Sequence, residues 1–187
     1  LLDQVGGLKF GFPAGVFSQA NPSTAKKLYD TVAEMAALSG RENVLDLYCG
    51  VGPISIYLAG AARLVWGIDD GALAIDTAKQ NARRNGIGNC RFVEGDVAEK
   101  VAEAKKSLGA IDSIVLNPPR KGVRPEAMEA VLAVNAPKII YVSCEPVSLS
   151  RDLDKLVNHS YRVIRLQPFD MFPQTAQVET VALLERV

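Results

Sequence analysis

From Gly40 onward, short runs of apolar residues alternate with stretches whose apolar positions recur at helical spacing. The runs predict buried strands and the stretches amphipathic helices. Strands are expected at Asn43–Tyr48, Leu64–Asp69, Cys90–Glu94, Ser113–Asn117, Lys138–Ser143, Tyr161–Phe169 and Gln177–Glu185. Helices are expected between them at Ile54–Ala59, Ala72–Asn85, Val97–Ser107, Pro125–Val134 and Leu149–Asn158. Ahead of this alternation, Gly7 to Ser18 reads as a short hairpin turned by Pro13-Ala14-Gly15. Asn21-Pro22-Ser23 then opens a helix to about Leu38, with Leu28, Val32, Met35 and Ala36 on one face.

Repeated strand–helix units predict an α/β, Rossmann-like fold, a largely parallel sheet with helices on both faces. Only Asp170–Ala176 separates the last two strands, too little for a crossover helix, so the final strand is expected to insert antiparallel. We read 1–187 as a single domain, with a hairpin and helix over 1–40 and a core over 41–187. The chain opens on Leu1 rather than Met, which reads as a fragment of something longer.

Composition narrows the class. Hydrophobic residues make up 48% and charged residues 22%, as in an ordinary globular protein. No apolar run approaches the roughly 20 residues that span a bilayer, so no membrane partner is expected. Cys49, Cys90 and Cys144 form no C-x-x-C pair, and with the single His159 they argue against a metal site or a disulfide framework. That usage suits a reducing cytoplasm, and the chain is read as a monomer. The net charge is zero, whereas a self-sufficient nucleic-acid binder shows a basic excess. If RNA is the partner, much of the grip lies elsewhere.

In open α/β sheets ligands bind beyond the carboxyl ends of the strands. The first core strand runs into Asp46-Leu47-Tyr48-Cys49-Gly50-Val51-Gly52, whose glycines allow close backbone approach. The second ends in Asp69, placed to accept from ribose hydroxyls, and the third leads to Gly95-Asp96, suited to an adenine amino group. A dinucleotide fold needs a third glycine where Ser55 stands. The D-x-x-x-G-x-G loop with acids after the next two strands instead resembles the class I S-adenosylmethionine methyltransferases, with their seven-stranded sheet and antiparallel last strand.

Three later segments bear on the chemistry: Asn117-Pro118-Pro119-Arg120-Lys121-Gly122, Tyr141-Val142-Ser143-Cys144-Glu145-Pro146, and Asp170-Met171-Phe172-Pro173 leading to Gln177-Val178-Glu179. Carbon 5 of uracil is a poor nucleophile; a thiolate adding at carbon 6 makes it reactive, and a base must later remove its proton. Cys144 and Glu179 fit those roles, although position alone leaves Cys144 equally readable as a small buried hydrophobe.

Taken together, these segments resemble the RNA 5-methyluridine methyltransferases of the RumA/TrmA type, with their D-P-P-R-x-G loop, S-C-N-P loop and D-M-F-P-x-T-x-H-V-E ending. Phe17-Ser18-Gln19-Ala20-Asn21 also matches that family's F-x-Q-x-N stretch. The resemblance implies S-adenosyl-L-methionine as cofactor, held at Gln19, Tyr48, Asp69, Asp96 and Asn117 beside the glycines Gly50 and Gly52. It implies Cys144 as nucleophile and Glu179 as base, acting on uridine in transfer or ribosomal RNA. Arg120 and Phe172 are candidate substrate contacts for a flipped base. Pro53 stands where some members use a side-chain contact. The family's N-terminal RNA-binding domain, and the iron–sulfur cluster of some members, fall outside these segments. Asp69 replaces the usual Glu, Asn117 the usual Asp, Glu145 the usual Asn and Gln177 the usual His. A carboxylate at Glu145 is expected to raise the pKa of the neighbouring thiol.

Two rival readings stay in view. Asn117-Pro118-Pro119 matches the N-P-P core of amino methyltransferases acting on adenine or guanine, although Arg120 stands where an aromatic residue would stack. The substitutions also motivate a non-catalytic cofactor- or RNA-binding module.

Overall fold

A computed structural model describes residues 2–13, 22–171, 175 and 178–187. The chain opens with a hairpin of β1 (Leu2–Val5) and β2 (Leu8–Gly11), pairing Leu2 with Gly11 and Val5 with Leu8. The hairpin expected over Gly7 to Ser18 lies in part outside the described residues. The β1–β2 turn is Gly6-Gly7, with φ of 59° and 85°, the positive values at both central positions that a type I′ turn requires. Ala14 and Gly15 lie outside the described residues. Helix α1 (Pro22–Ala36) follows, and Leu28, Val32, Met35 and Ala36 are buried as their spacing predicts. The helix stops short of Leu38 because Ala37 turns left-handed at φ 50°.

The core then alternates β3 (Asn43–Leu47), α2 (Pro53–Ala59), β4 (Leu64–Asp69), α3 (Ala72–Arg84), β5 (Cys90–Glu94) and α4 (Val97–Leu108). It continues through β6 (Ser113–Leu116), α5 (Pro125–Val134), β7 (Lys138–Ser143), α6 (Pro146–Val157), β8 (Tyr161–Phe169) and β9 (Glu179–Arg186). Among the described residues these strands form one seven-stranded sheet in the order β5-β4-β3-β6-β7-β9-β8. Strands β3 to β7 pair in parallel, whereas β9 inserts antiparallel between β7 and β8. The expected antiparallel final strand is therefore observed.

Strand alternation sorts the interior into two layers. Val44, Val65, Val115, Ile140 and Val142 pack on one face with α1, α2 and α3. Leu45, Trp66, Ile114, Leu116 and Tyr141 pack on the other with α4, α5 and α6. Each fully buried Leu or Ile in such layers contributes roughly 1.5–3 kcal/mol. Strand order reverses between β3 and β6, so their diverging loops open a crevice at the sheet's carboxyl edge. No described helix is long and apolar enough to cross a membrane.

Close packing behind that crevice depends on Gly67 in β4. A Cβ there would lie 2.6 Å from Phe92 Cδ1 and 2.9 Å from Cys49 Sγ. Gly67→Ala is expected to destabilise the fold by about 1–3 kcal/mol, read as a lower urea midpoint at unchanged slope. Phe92→Leu in the same chain should recover part of the loss. An unchanged midpoint would mean that this layer yields without strain.

Candidate active site

A cleft of about 690 Å³ lies at the carboxyl ends of β3 to β7. Of the residues singled out from sequence, it is lined by Tyr48, Gly50, Asp69, Asp96, Asn117, Arg120, Cys144 and Glu179. Gly52 is not part of the lining: it precedes α2 at φ 82°, and a Cβ there would sit 2.8 Å from Phe92 Cζ. Gln19, Phe172 and Gln177 lie outside the described residues.

The loop after β3 is built by side chains holding backbone. Asp69 accepts from the N–H of Gly50 at 2.9 Å through one oxygen and of Gly71 at 3.0 Å through the other. Each oxygen keeps a further lone pair for a ligand. Tyr48 adopts φ 63°, a left-handed conformation that costs a non-glycine residue about 1 kcal/mol or more and clusters at functional sites. Ser55, the residue that breaks the dinucleotide motif, is buried and donates to Asp46 Oδ2 at 2.5 Å.

Two buried polar atoms of the cleft lining, Asp46 Oδ1 and Tyr48 Oη, have no protein partner among the described residues. Leaving such atoms unpaired costs roughly 1–3 kcal/mol each, so the site suits a ligand with hydrogen-bonding groups. Asp69, Asp70 and Asp96 make this end of the cleft acidic. That character matches a cationic ligand moiety and opposes a pyrophosphate.

Asp96 caps α4 by accepting from Ala98 N–H at 2.8 Å, and its other oxygen pairs with Arg124. The Arg124 guanidinium holds the Asp96 carboxyl below its usual range. Both oxygens of the group read as an adenine-amino acceptor are therefore engaged by protein. Arg124, Asp46, Asp70 and Tyr29 all line the cleft and were missed as individual site residues. Only Asp46 carried a local signal, as the first residue of the glycine loop.

The other end of the cleft is set by strand register. β7 and β9 pair Ser143 with Thr180, so the next residues along, Cys144 and Glu179, fall side by side. Glu179 is 3% exposed, and burial raises its carboxyl pKa while Arg120 opposes the rise. Burial also raises the Cys144 thiol, followed by the charge of Glu179, whereas Arg120 acts against both as a cation and as a hydrogen-bond partner. Cys49 and Cys90 are raised by burial and neighbouring acids, whereas at Cys144 an arginine counters the rise, which marks Cys144 as the reactive candidate. The expectation for Glu145 is corrected: the carboxylate acting on the thiol is Glu179. Glu145 caps α6, its side chain accepting from Val147 N–H at 3.3 Å.

The sheet order, with an antiparallel strand inserted at one side, and the crevice at the strand ends define the class I methyltransferase fold. Residues 4–187 match the model of the tRNA (Uracil-5-)-methyltransferase family, and the chain belongs to that family. An uncharacterized RNA methyltransferase of Geobacter sulfurreducens is 45% identical over 98% of this chain and 37% of its own length. Another, of Halalkalibacterium halodurans, is 44% identical over 99% of this chain and 40% of its own length. The chain thus spans about two-fifths of the length of the curated relatives it matches. The crystal structure of Pyrococcus abyssi tRNA (uracil-54, C5)-methyltransferase in complex with S-adenosyl-L-homocysteine superposes with a TM-score of 0.84 at 31% identity, covering 98% of this chain and 44% of that one.

Burial raises the Asp46 carboxyl to about 7, against an ordinary value of 3.8. Between those values the folded protein holds a proton that the unfolded chain has released, so stability falls as pH rises across the window. The loss is on the order of a few kcal/mol, smaller than burial alone would make it because the Ser55 hydrogen bond favours the carboxylate. Asp46→Asn is expected to flatten this slope in urea unfolding series taken from about pH 4 to 7.5. A slope identical to the parent's would mean that Asp46 stays ionised in the fold.

Proposed function

We propose that this chain catalyses S-adenosylmethionine-dependent methylation of uridine at carbon 5 in RNA, through a covalent bond between Cys144 and carbon 6. The observation that carries this reading is the β7–β9 register, which sets a half-buried thiol beside a buried carboxylate with an arginine facing both.

The residues fit the cofactor. Tyr48, Gly50, Asp69, Asp96 and Asn117 line one continuous wall, with the unpartnered Tyr48 Oη and Asp46 Oδ1 available to a ligand. When bound, S-adenosylmethionine supplies an electrophilic methyl group. The Cys144 thiolate adds to carbon 6 of the uracil ring, which moves electron density onto carbon 5 and the carbonyl at carbon 4. The positive charge of Arg120 favours the thiolate. Once carbon 5 carries its methyl group, Glu179 takes the remaining proton from it, and the electron pair expels Cys144 as thiolate. A buried carboxylate with a raised pKa is a stronger base than an exposed one, as this step needs.

RNA as substrate is supported by family membership and by the named activity of the Pyrococcus abyssi protein on transfer RNA. Arg120 and Lys121, exposed on the loop after β6, present positive charge beside the cleft for phosphate.

Incubation of the protein with labelled S-adenosylmethionine and RNA from cells lacking it should place label in 5-methyluridine. Label in methylated adenosine or guanosine would instead favour the Asn117-Pro118-Pro119 loop acting on an exocyclic amine. Cys144→Ala should lower turnover by at least about 10³-fold, and Glu179→Gln should let a methylated protein–RNA adduct accumulate. RNA bearing 5-fluorouridine should trap the same adduct, since fluorine cannot leave as a proton. An adduct that still forms with Cys144→Ala would exclude Cys144 as the nucleophile. Because burial raises the thiol, kcat is also expected to climb with pH as the thiolate fraction grows, and a flat profile would separate thiol ionisation from the rate.

A further inference from the structure

The loop from Asn117 to Arg124 carries Arg120 without helix or strand of its own; Asp96 pairs with its last residue, Arg124, and the side chains that hold Lys121 and Val123 come from α6. Val123 N–H donates to Asp152 Oδ2 at 2.7 Å. The carbonyl of Lys121 accepts from Arg151 Nη2 at 2.7 Å. Between these two anchors Gly122 sits at φ 79°, and a Cβ there would fall 2.4 Å from both Arg151 Nη2 and Asp152 Oδ2. The loop's innermost turn is thus pressed against one acid–base pair.

Asp152 is fully buried, and its carboxylate is completely satisfied. Besides Val123, it accepts from Tyr141 Oη at 2.7 Å and from Arg151 Nε and Nη2 at 3.0 and 2.9 Å. Tyr141 belongs to β7, the strand that delivers Cys144, and α6 begins just after Cys144. One buried carboxylate therefore ties together β7, α6 and the loop of Arg120. Packing alone does not call for a charge here, since an apolar residue of similar volume commonly stabilises such a site as well or better. What the charge adds is a fixed geometry between the loop and the helix.

We propose that Arg151 and Asp152 are positioning residues that bolt the 117–124 loop to α6 and so hold Arg120 in the cleft wall it shares with Cys144. This rests on the reading of Cys144 as the nucleophile, but its test does not depend on methyl transfer. Neither residue lines the cleft, so each acts through the loop.

The measurement is the pH dependence of iodoacetamide alkylation of Cys144 in the whole protein, followed by mass spectrometry of its peptide so that Cys49 and Cys90 are counted separately. Arg120→Gln serves as the reference for losing the guanidinium at the thiol. Arg151→Gln and Asp152→Asn should each move the profile toward higher pH in the same direction. The expected size is about a 10-fold slower reaction below the thiol pKa. Adding Arg151→Gln to Arg120→Gln should produce no further shift, because the second change then has nothing left to displace. Should Asp152→Asn fail to fold, Arg151→Gln carries the test, as that side chain is 51% exposed. Profiles for Arg151→Gln and Asp152→Asn that overlay the parent, with Arg120→Gln shifted, would overturn the proposal even if thermal stability had dropped. So would a reference variant that leaves the profile unmoved. Absence of 5-methyluridine with the parent protein is a separate result, and it would count against the proposed reaction rather than against the bolt.

Discussion

The antiparallel pairing of β9 with β7 determines more of this site than any other contact. Side chains alternate along a strand with period two, so register decides which face each residue meets. In β7, Ile140 and Val142 face the layer of α1 to α3, and Cys144 continues that phase one residue past the strand. In β9, Val181 and Leu183 face the same layer, and Glu179 continues that phase. A slip of one residue would carry Glu179 to the opposite face and turn Val181 and Leu183 away from their apolar partners. The proximity of the acid to the thiol is thus enforced by the burial of residues with no chemistry of their own. Asp46 shares the phase of Val44, and Tyr29 rises from α1 on the same side. This explains why the charges of Asp46 and Glu179 both bear on the Tyr29 phenol, raising it after burial has done so.

The cleft is otherwise held open by side chains bonded to backbone. Asp69 clamps the glycine loop to the start of α3, Asp96 and Glu145 cap the helices that begin at the cleft, and Asp152 anchors the loop of Arg120. Loops without ladder hydrogen bonds need such partners for their buried N–H groups. Asp69 and Asp96, joined by Asp70, give the cofactor end its negative character, while Arg120 supplies positive charge from the loop after β6. A net charge of zero therefore conceals a strongly divided site.

Much of the scaffold was legible because its strands are short apolar runs between residues that break them. The bounds of β4, β5, β7 and β8 follow the sequence residue for residue. The β1–β2 hairpin went unread although Gly6-Gly7 offers the pair of positive φ angles that a type I′ turn requires. Helix α6 starts at Pro146 rather than Leu149, a start that proline in the first turn announces. Cys144, Glu179, Asp69 and Asn117 could be singled out because each sits in a local motif. Tyr29, Arg124 and the Arg151–Asp152 pair could not. Their neighbours lie far along the chain, and a lone tyrosine or an Arg-Asp dipeptide on a helix reads like any surface face until the fold closes.

The substitutions at motif positions acquire physical meaning only in place. Glu145 stands where the family uses Asn, and from sequence its charge threatened the thiol. As the residue before α6 it retains the property the two side chains share, an oxygen acceptor for a free N–H of the first turn. Its negative charge also meets the positive end of the helix dipole, which favours it there. The carboxylate that does reach Cys144 is Glu179, and Arg120 faces both groups. Asp69, one methylene shorter than the usual Glu, is spanned by two backbone N–H groups, a fit that depends on the short side chain meeting Gly50 and Gly71 together. The backbone N–H of Asn117 bonds Leu47 and extends the β3–β6 pairing, as that of any residue but proline would, and nothing in the structure explains the loss of the side-chain charge. Two of the four substitutions, Asp69 and Glu145, are therefore absorbed by backbone contacts, and the groups that meet at the reacting carbons in the proposed reaction are left unchanged.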